Sequence, residues 1–290
     1  QYLLAATVLT GIIQVIAGYF KVAKLMRFVS QSVVYGFVNA LAILIFVAQL
    51  PELSKMDSLG YFFVALGLLL IYLFPHVPKI GKLIPSPLIC IIVLSLITLF
   101  IGSDMRTVSD LGTFPDTLPI FLIPEIPLNF ETLKIIFPYS ITLATVGLLE
   151  TMMTTTIVNE ITETEGDRHQ ECRGQGFANI VSGVMGGMAG CAMIGQSIIN
   201  VSSGARTRLS TLVAGVFLLC LVVFLKDWLA YIPMAALVAI MIMVAFTTFN
   251  WYSVRNFSKH PKQSNIVIFT VVIIVLTTHN LALGVLVGVL

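Results

Sequence analysis

Apolar runs long enough to enter or cross a bilayer recur along almost the whole chain. They cover about residues 2–20, 32–50, 59–75, 85–102, 135–158, 174–201, 207–225, 229–250 and 264–278, with a shorter run at 281–290. A helix needs about 20 such residues to span the hydrocarbon, and somewhat fewer where the bilayer adapts. Charge is correspondingly scarce: 10% of the 290 residues are charged, against 58% hydrophobic. A soluble domain carries about 25% charged residues, enough to cover its surface. This chain has no such cover, which excludes a soluble enzyme, a nucleic-acid binder and a disordered tail. The runs are also too long and too uniformly apolar for β-barrel strands. The expectation is an all-α polytopic protein, multi-pass in the cell (inner) membrane, with lipid as its outer solvent.

The few charges sort by side. Connections 21–31, 76–84, 159–173, 202–208 and 251–263 hold 12 of the 16 basic residues. These are Lys21, Lys24, Arg27, Lys79, Lys82, Arg168, Arg173, Arg206, Arg208, Arg255, Lys259 and Lys262. The positive-inside rule makes these connections cytoplasmic. Segment 103–134, with five acids and Pro115, Pro119, Pro124 and Pro127, reads as an ordered external loop.

Orientation then constrains residues 174–201. Both flanking connections fall inside, yet only 28 residues separate them. Two full crossings need about 40 residues. The segment therefore enters and returns with at least one leg reduced to a half-helix. Gly183/Gly187 and Gly186/Gly190 suit close helix packing, and glycine also frees backbone N–H groups to face a ligand. Glycine content alone favours packing; the parity of the charges favours broken helices. Non-helical backbone at that depth lines protein or a cavity, and such helices build transporter sites.

One ionisable side chain lies deep inside an apolar run: Glu150, in 135–158. An intramembrane acid is costly and by default a functional candidate. Gly147 and Thr154 share its helical face, with Thr151 beside it. Such a carboxylate, with hydroxyls one turn away, suits a sodium ion or a carried proton; a structural acid bonded to backbone is the alternative. His76, His169, His260 and His279 sit in connections or at run ends and form no expected metal cluster. Glu160, Glu163, Glu165, Asp167 and Glu171 read as a solvated cytoplasmic loop. Trp228 and Trp251 stand at run ends, as interfacial anchors do. Cys90, Cys191 and Cys220 lie in apolar runs and read as small buried hydrophobes. No catalytic constellation appears, so no enzyme is expected.

Four stretches carry a family resemblance. They are Leu148-Leu149-Glu150-Thr151, the run from Gly174-Gln175-Gly176 to Ser182-Gly183, the run from Gly190-Cys191-Ala192 to Asn200, and Ser203-Gly204-Ala205-Arg206-Thr207. Together they resemble the sulfate permease (SulP) family of anion transporters, over essentially the whole chain. The resemblance implies fourteen segments in a seven-plus-seven inverted repeat, with core and gate domains and a discontinuous half-helix. On that map residues 1–290 correspond to about segments four to fourteen of a longer transmembrane domain. The first segments and the C-terminal STAS domain, through which a homodimer would form, are then absent from the chain.

The resemblance also assigns residues. Glu150 matches an acidic position that binds sodium in the bicarbonate transporter branch, where it is Asp, and Thr154 matches a hydroxyl ligand of that ion. Ala192, Met193 and Ile194 match the stretch lining the cation and anion sites. Gly195 matches a position where animal relatives place Ser on the anion, and Gln196 one where they carry Arg. Ile194 and Gln196 thus lack a hydroxyl and a positive charge, which suits a monovalent anion such as bicarbonate at least as well as sulfate. The expected cation set is Glu150, Thr154, Ala192 and Ile194, and the expected anion set Met193, Ile194, Gly195, Gln196 and Ser197. The function expected is secondary active transport of a small inorganic anion, bicarbonate or sulfate, as a sodium or proton symport with no other cofactor. An anion channel or exchanger, and a nucleobase transporter of the same architecture, are the alternatives.

Overall fold

The structure, a computed structural model, describes residues 1–22, 24, 30–77, 81, 84–101, 105–112, 120–122, 124–127, 129–255, 262–278 and 280–289. Of the residues named above, Arg27, Lys79, Lys82, Pro115, Pro119, Lys259, His260 and His279 lie outside these. Among the described residues there is no β-strand. The helices are α1 (Tyr2–Tyr19), α2 (Gln31–Ser54), α3 (Ser58–Leu73), α4 (Ser86–Ile101), α5 (Phe130–Thr162), α6 (Arg168–Val184), α7 (Ile194–Ser202), α8 (Arg208–Phe224), α9 (Lys226–Ala230), α10 (Met234–Thr248), α11 (Trp251–Arg255), α12 (Lys262–Thr278) and α13 (Leu281–Val289). Four stretches are long and apolar enough to cross a membrane: Tyr2–Tyr19, Gln31–Ser54, Ser58–His76 and Phe130–Thr162. Several shorter apolar helices accompany them.

Most apolar runs become one helix each, and the differences have local causes. The acidic stretch 160–171 is only partly loop. Asn129 caps the start of α5, its Oδ1 accepting from Thr132 N at 2.8 Å. The helix continues through Glu160 until Glu163 takes a left-handed φ of 53°. Asp167 then caps α6, accepting from His169 N at 2.9 Å, and Glu171 falls in the first turn. The run expected from residue 229 is broken: Leu229 and Ala230 end α9, and α10 starts only at Met234. Pro233 precedes it, and residues 232–234 pair instead with 106–108, through Val108 N to Ile232 O (3.0 Å) and Met234 N to Arg106 O (2.9 Å).

Clustering divides the chain into two compact units. Unit 2 (Val38–Asp116, Gly215–Pro261) has an apolar centre in α3, α4 and α10, built from Phe63, Leu94, Ala239 and Ile242. Gly67 lets α3 approach α10: a methyl there would stand 2.9 Å from the Ala239 methyl. At one end of this unit the α2–α3 connection meets segment 103–134, expected outside. Arg106 and Lys55 both pair with Glu52, at 2.9 and 3.0 Å. Toward the other end, Asn39 donates to Ser253 Oγ (2.9 Å) and accepts from Asn250 N (2.8 Å).

Unit 1 (Gln1–Phe37, Thr117–Ala214, Lys262–Leu290) is organised around an antiparallel pair, α1 and α6. Glycines seven residues apart on each helix make the contact. A methyl on Gly11 would lie 2.5 Å from Gly176 O, and one on Gly176 would lie 2.6 Å from Gly11 O. Gly18 abuts Arg173, and Gly183 abuts Val8. This is small-residue packing, available in lipid where apolar burial drives little. Helix α5 joins the pair through Ser140 Oγ, which donates to Ala6 O at 3.0 Å. Helix α8 has no buried residue. Its Cys220 is exposed, unlike the expected core cysteine, whereas Cys90 is buried as expected.

Candidate transport site

The run 174–201 breaks as the charge parity requires. Helix α6 has 17 residues and α7 only nine, or about 14 Å at 1.5 Å per residue, less than half the hydrocarbon thickness. Between them, residues 185–193 are not helical. Gly186 has a φ of 82°, a conformation glycine adopts without strain, and it ends α6. Its N–H bonds Gly183 O, and that of Gly187 bonds Ser182 O at 2.8 Å, closing a Schellman cap. The far end of α7 repeats the device. Gly204 has a φ of 100°, with Gly204 N to Val201 O at 3.0 Å and Ala205 N to Asn200 O at 3.1 Å. Arg206 adds a side-chain bond to Val201 O at 2.7 Å. Of the glycines expected to pack helices, Gly183 does so; Gly186, Gly187 and Gly190 lie in the turn and the irregular strand, where α6 and α7 do not continue.

Irregular backbone away from water must find partners for its polar groups. Here side chains of α5 and α6 supply them. Asn179 clamps Gly190 from both sides, Oδ1 accepting from Gly190 N (2.9 Å) and Nδ2 donating to Gly190 O (3.1 Å). The same Nδ2 donates to Gln14 Oε1 of α1 at 2.8 Å. Ser182 donates to Met188 O at 3.1 Å. On the α5 side, Thr151 Oγ1 accepts from Ala192 N (3.1 Å), and Thr154 Oγ1 donates to Ala192 O (2.7 Å). The Cys191 thiol donates to Glu150 Oε2 at 3.1 Å. Gln14, Glu150, Thr151, Thr154 and Asn179 are all buried.

The structure brings Glu150 and Thr154 together with Ala192, three members of the expected cation set. Ile194, the fourth, opens α7, and the side-chain hydrogen bonds to α5 come instead from Cys191 and Ala192. The expected anion residues form the N-terminal turn of α7. Met193 is the cap, in extended conformation and exposed. The first intrahelical bond runs from Ser197 N to Met193 O (3.1 Å), so the N–H groups of Ile194, Gly195 and Gln196 precede it. A methyl on Gly195 would meet no described atom within 4 Å. Gln196 is exposed there. Free N–H groups and the positive end of a helix dipole favour an anion.

Five contributors were not among the expected site residues: Gln14, Thr151, Gln175, Asn179 and Cys191. Gly147 makes room for two of them, since a methyl there would stand 3.0 Å from Gln175 Nε2 and 3.1 Å from Gln14 Nε2. A lone amide in an apolar run, as at Gln14, was the available signal.

The chain matches the Sulfate permease family over residues 1–66 and 58–273. It belongs to the sulfate permease family. This makes it a multi-pass membrane protein of a transporter family rather than an enzyme. The Bacillus subtilis (strain 168) protein YbaR is 53% identical over 290 residues, which is all of this chain and 60% of YbaR. The bicarbonate transporter BicA of Picosynechococcus is 27% identical over 305 residues, covering 96% of this chain and 52% of BicA. Sulfate transporter 4.1 of Arabidopsis thaliana is 26% identical, covering 97% of this chain and 44% of that protein. The permease chain thus spans about half the length of these relatives. Its fold is that of the transmembrane domain of a cyanobacterial BicA, with a TM-score of 0.80 at 21% identity, covering 99% of this chain and 74% of that one. SLC26A9 shares the fold, with a TM-score of 0.80 at 16% identity, covering 99% of this chain and 49% of that one.

Proposed function

We propose that this permease chain carries the site of a secondary active transporter for a small inorganic anion, bicarbonate or sulfate, driven by a sodium ion or a proton. The observation behind this reading is that Glu150 and Thr154 contact consecutive residues, Cys191 and Ala192, directly before the N-terminus of α7. A cation held by Glu150 and an anion held by α7 would then share one short segment. The donor set suits sodium: a carboxylate, a hydroxyl and a carbonyl are hard oxygen ligands. Thr154 spends its proton on Ala192 O, which leaves its lone pairs for a cation. The anion would sit on the free N–H groups of Ile194, Gly195 and Gln196, with the Gln196 and Ser197 side chains adding polar contacts. A neutral Gln196 supplies no cationic partner, which favours a monovalent anion. The relatives' names, a bicarbonate transporter and a sulfate transporter, support the substrate class.

The test is uptake of labelled bicarbonate and of labelled sulfate into vesicles bearing the complete protein. Each anion is offered with a sodium gradient, a proton gradient or neither. Gradient-driven accumulation of one anion is expected; uptake that merely equilibrates in every condition would refute coupled transport.

A further inference from the structure

Helix α6 carries a polar lane that the anion site does not use. Glu171, Gln175, Asn179 and Ser182 follow at intervals of four, four and three, and so share one face. That face lines a cleft of about 360 Å³ whose other wall is the irregular segment at Met188 and Gly190–Ala192. One end is Glu171, exposed in the first turn of α6, at the end the charge pattern places in the cytoplasm. On the opposite wall, beside Gln175 and one helical turn in from Glu171, stand Cys191 and Ala192, the residues that contact Glu150, Thr151 and Thr154.

The chemistry of the lane selects a sign. Its one charged lining residue is Glu171, and no basic side chain lines it among the described residues. Gln175 Oε1 is a buried acceptor with no partner among the described residues. Gln175 Nε2 reaches Gly190 O only at 3.4 Å. An unmet acceptor in an apolar slab is costly unless water or a cation visits it. A carboxylate at the mouth, with no basic side chain to offset it among the described lining residues, repels anions and attracts cations.

We infer that this cleft is the passage between the cytoplasm and Glu150 for the coupling cation, a small monovalent ion, separate from the anion's approach to α7. The inference rests on the coupling role proposed for Glu150. Cys191 stands as the partition: its thiol holds the carboxylate when the cation has left, and turns away when the cation arrives. Silver ion, monovalent and thiol-reactive, is a direct probe, because Cys191 already lines the cleft and touches Glu150. The experiment uses the complete protein with every cysteine except Cys191 replaced, in inside-out vesicles and chloride-free buffer. Blocking of Cys191 is followed by later alkylation.

Silver should block Cys191 rapidly, and Glu171→Lys should slow it about tenfold, the size of a local electrostatic focusing effect. Gln175→Leu should slow it severalfold. The neutral reagent methyl methanethiosulfonate should be little affected by Glu171→Lys, which shows that charge rather than misfolding is read. Equal silver rates in parent and variants, or equal slowing of the neutral reagent, would overturn the passage. Glu150→Gln separates the two ideas: unchanged cation-driven uptake in that variant overturns coupling while leaving the silver result to stand or fall alone.

Discussion

Helices α3, α4 and α10 of unit 2 meet through apolar side chains, whereas those around α6 in unit 1 meet through glycines, amides and hydroxyls. In unit 2, Phe63, Leu94, Ala239 and Ile242 interdigitate between α3, α4 and α10. In unit 1, Gly11 faces Gly176, while Gln14, Asn179, Thr151 and Thr154 are spent on one another and on the backbone of residues 190–192. Helices α3, α4 and α10 satisfy their own backbone in their interiors and need only shape from one another. The broken α6–α7 segment cannot satisfy its own, so unit 1 must bury polar side chains to hold it. Buried polarity here follows from irregular backbone, and irregular backbone is what frees N–H groups for a ligand.

Four substitutions probe that contrast, each read as the thermal midpoint of the detergent-solubilised complete protein. The largest loss is expected from Gly176→Ala. Its methyl meets backbone of α1, at Gly11 O and Val15 N, both 2.6 Å away, and backbone cannot step aside. Overpacking of this kind costs about 3 kcal/mol or more. Gly215→Ala in α8, where a methyl meets no described atom, is the control that should hold or gain stability. Next is Asn179→Leu, which strips partners from Gly190 N, Gly190 O and Gln14 Oε1 together, at about 2 kcal/mol. It should also lower uptake, since residues 191–193 lose their anchor. Gly67→Ala in unit 2 should cost less, about 1–2 kcal/mol, because its methyl meets one rigid atom at 2.9 Å, the Ala239 methyl, rather than two backbone atoms at 2.6 Å. An equal or greater loss than at Gly176 would erase the distinction between the units.

The smallest effect belongs to Asp167, the cap of α6. The His169 N–H, first among its causes, holds its carboxyl below the ordinary value of 3.8. A carboxylate lowered on folding contributes stability that is present above its unfolded value and is lost as pH falls through its folded one. Asp167→Ala should therefore reduce the midpoint at neutral pH, and the gap from the parent should close as the solution is acidified below pH 3.8. A gap that widens in acid would contradict the capping role.

Much of the architecture was legible in the sequence because lipid imposes strict rules. Length and charge located the helices, and the parity of basic connections exposed the break at 174–201 before any coordinates. Glu150 was legible because a lone acid in an apolar run is rare. Its helical neighbours Thr151 and Thr154 followed from spacing; the amides and the thiol around them did not. Asn179 meets Gln14 across 165 positions, and nothing local marks either as the other's partner. Cys191 reads as a small buried hydrophobe in an apolar run, and only the fold brings it to Glu150, 41 positions away, and Ala192 N to Thr151 Oγ1, equally far. The late start of α10 was hidden for the same reason, since residues 232–234 find partners at 106–108.

The central claim is that Glu150 links cation to anion. The most direct measurement is cation-stimulated uptake by the complete protein in vesicles, comparing the parent with Glu150→Gln at matched insertion. The neutral amide keeps the size of the side chain and its place beside Cys191 and removes the charge. The prediction is that stimulation by the sodium or proton gradient disappears while the protein remains folded in the membrane. Stimulation undiminished in Glu150→Gln would contradict the account.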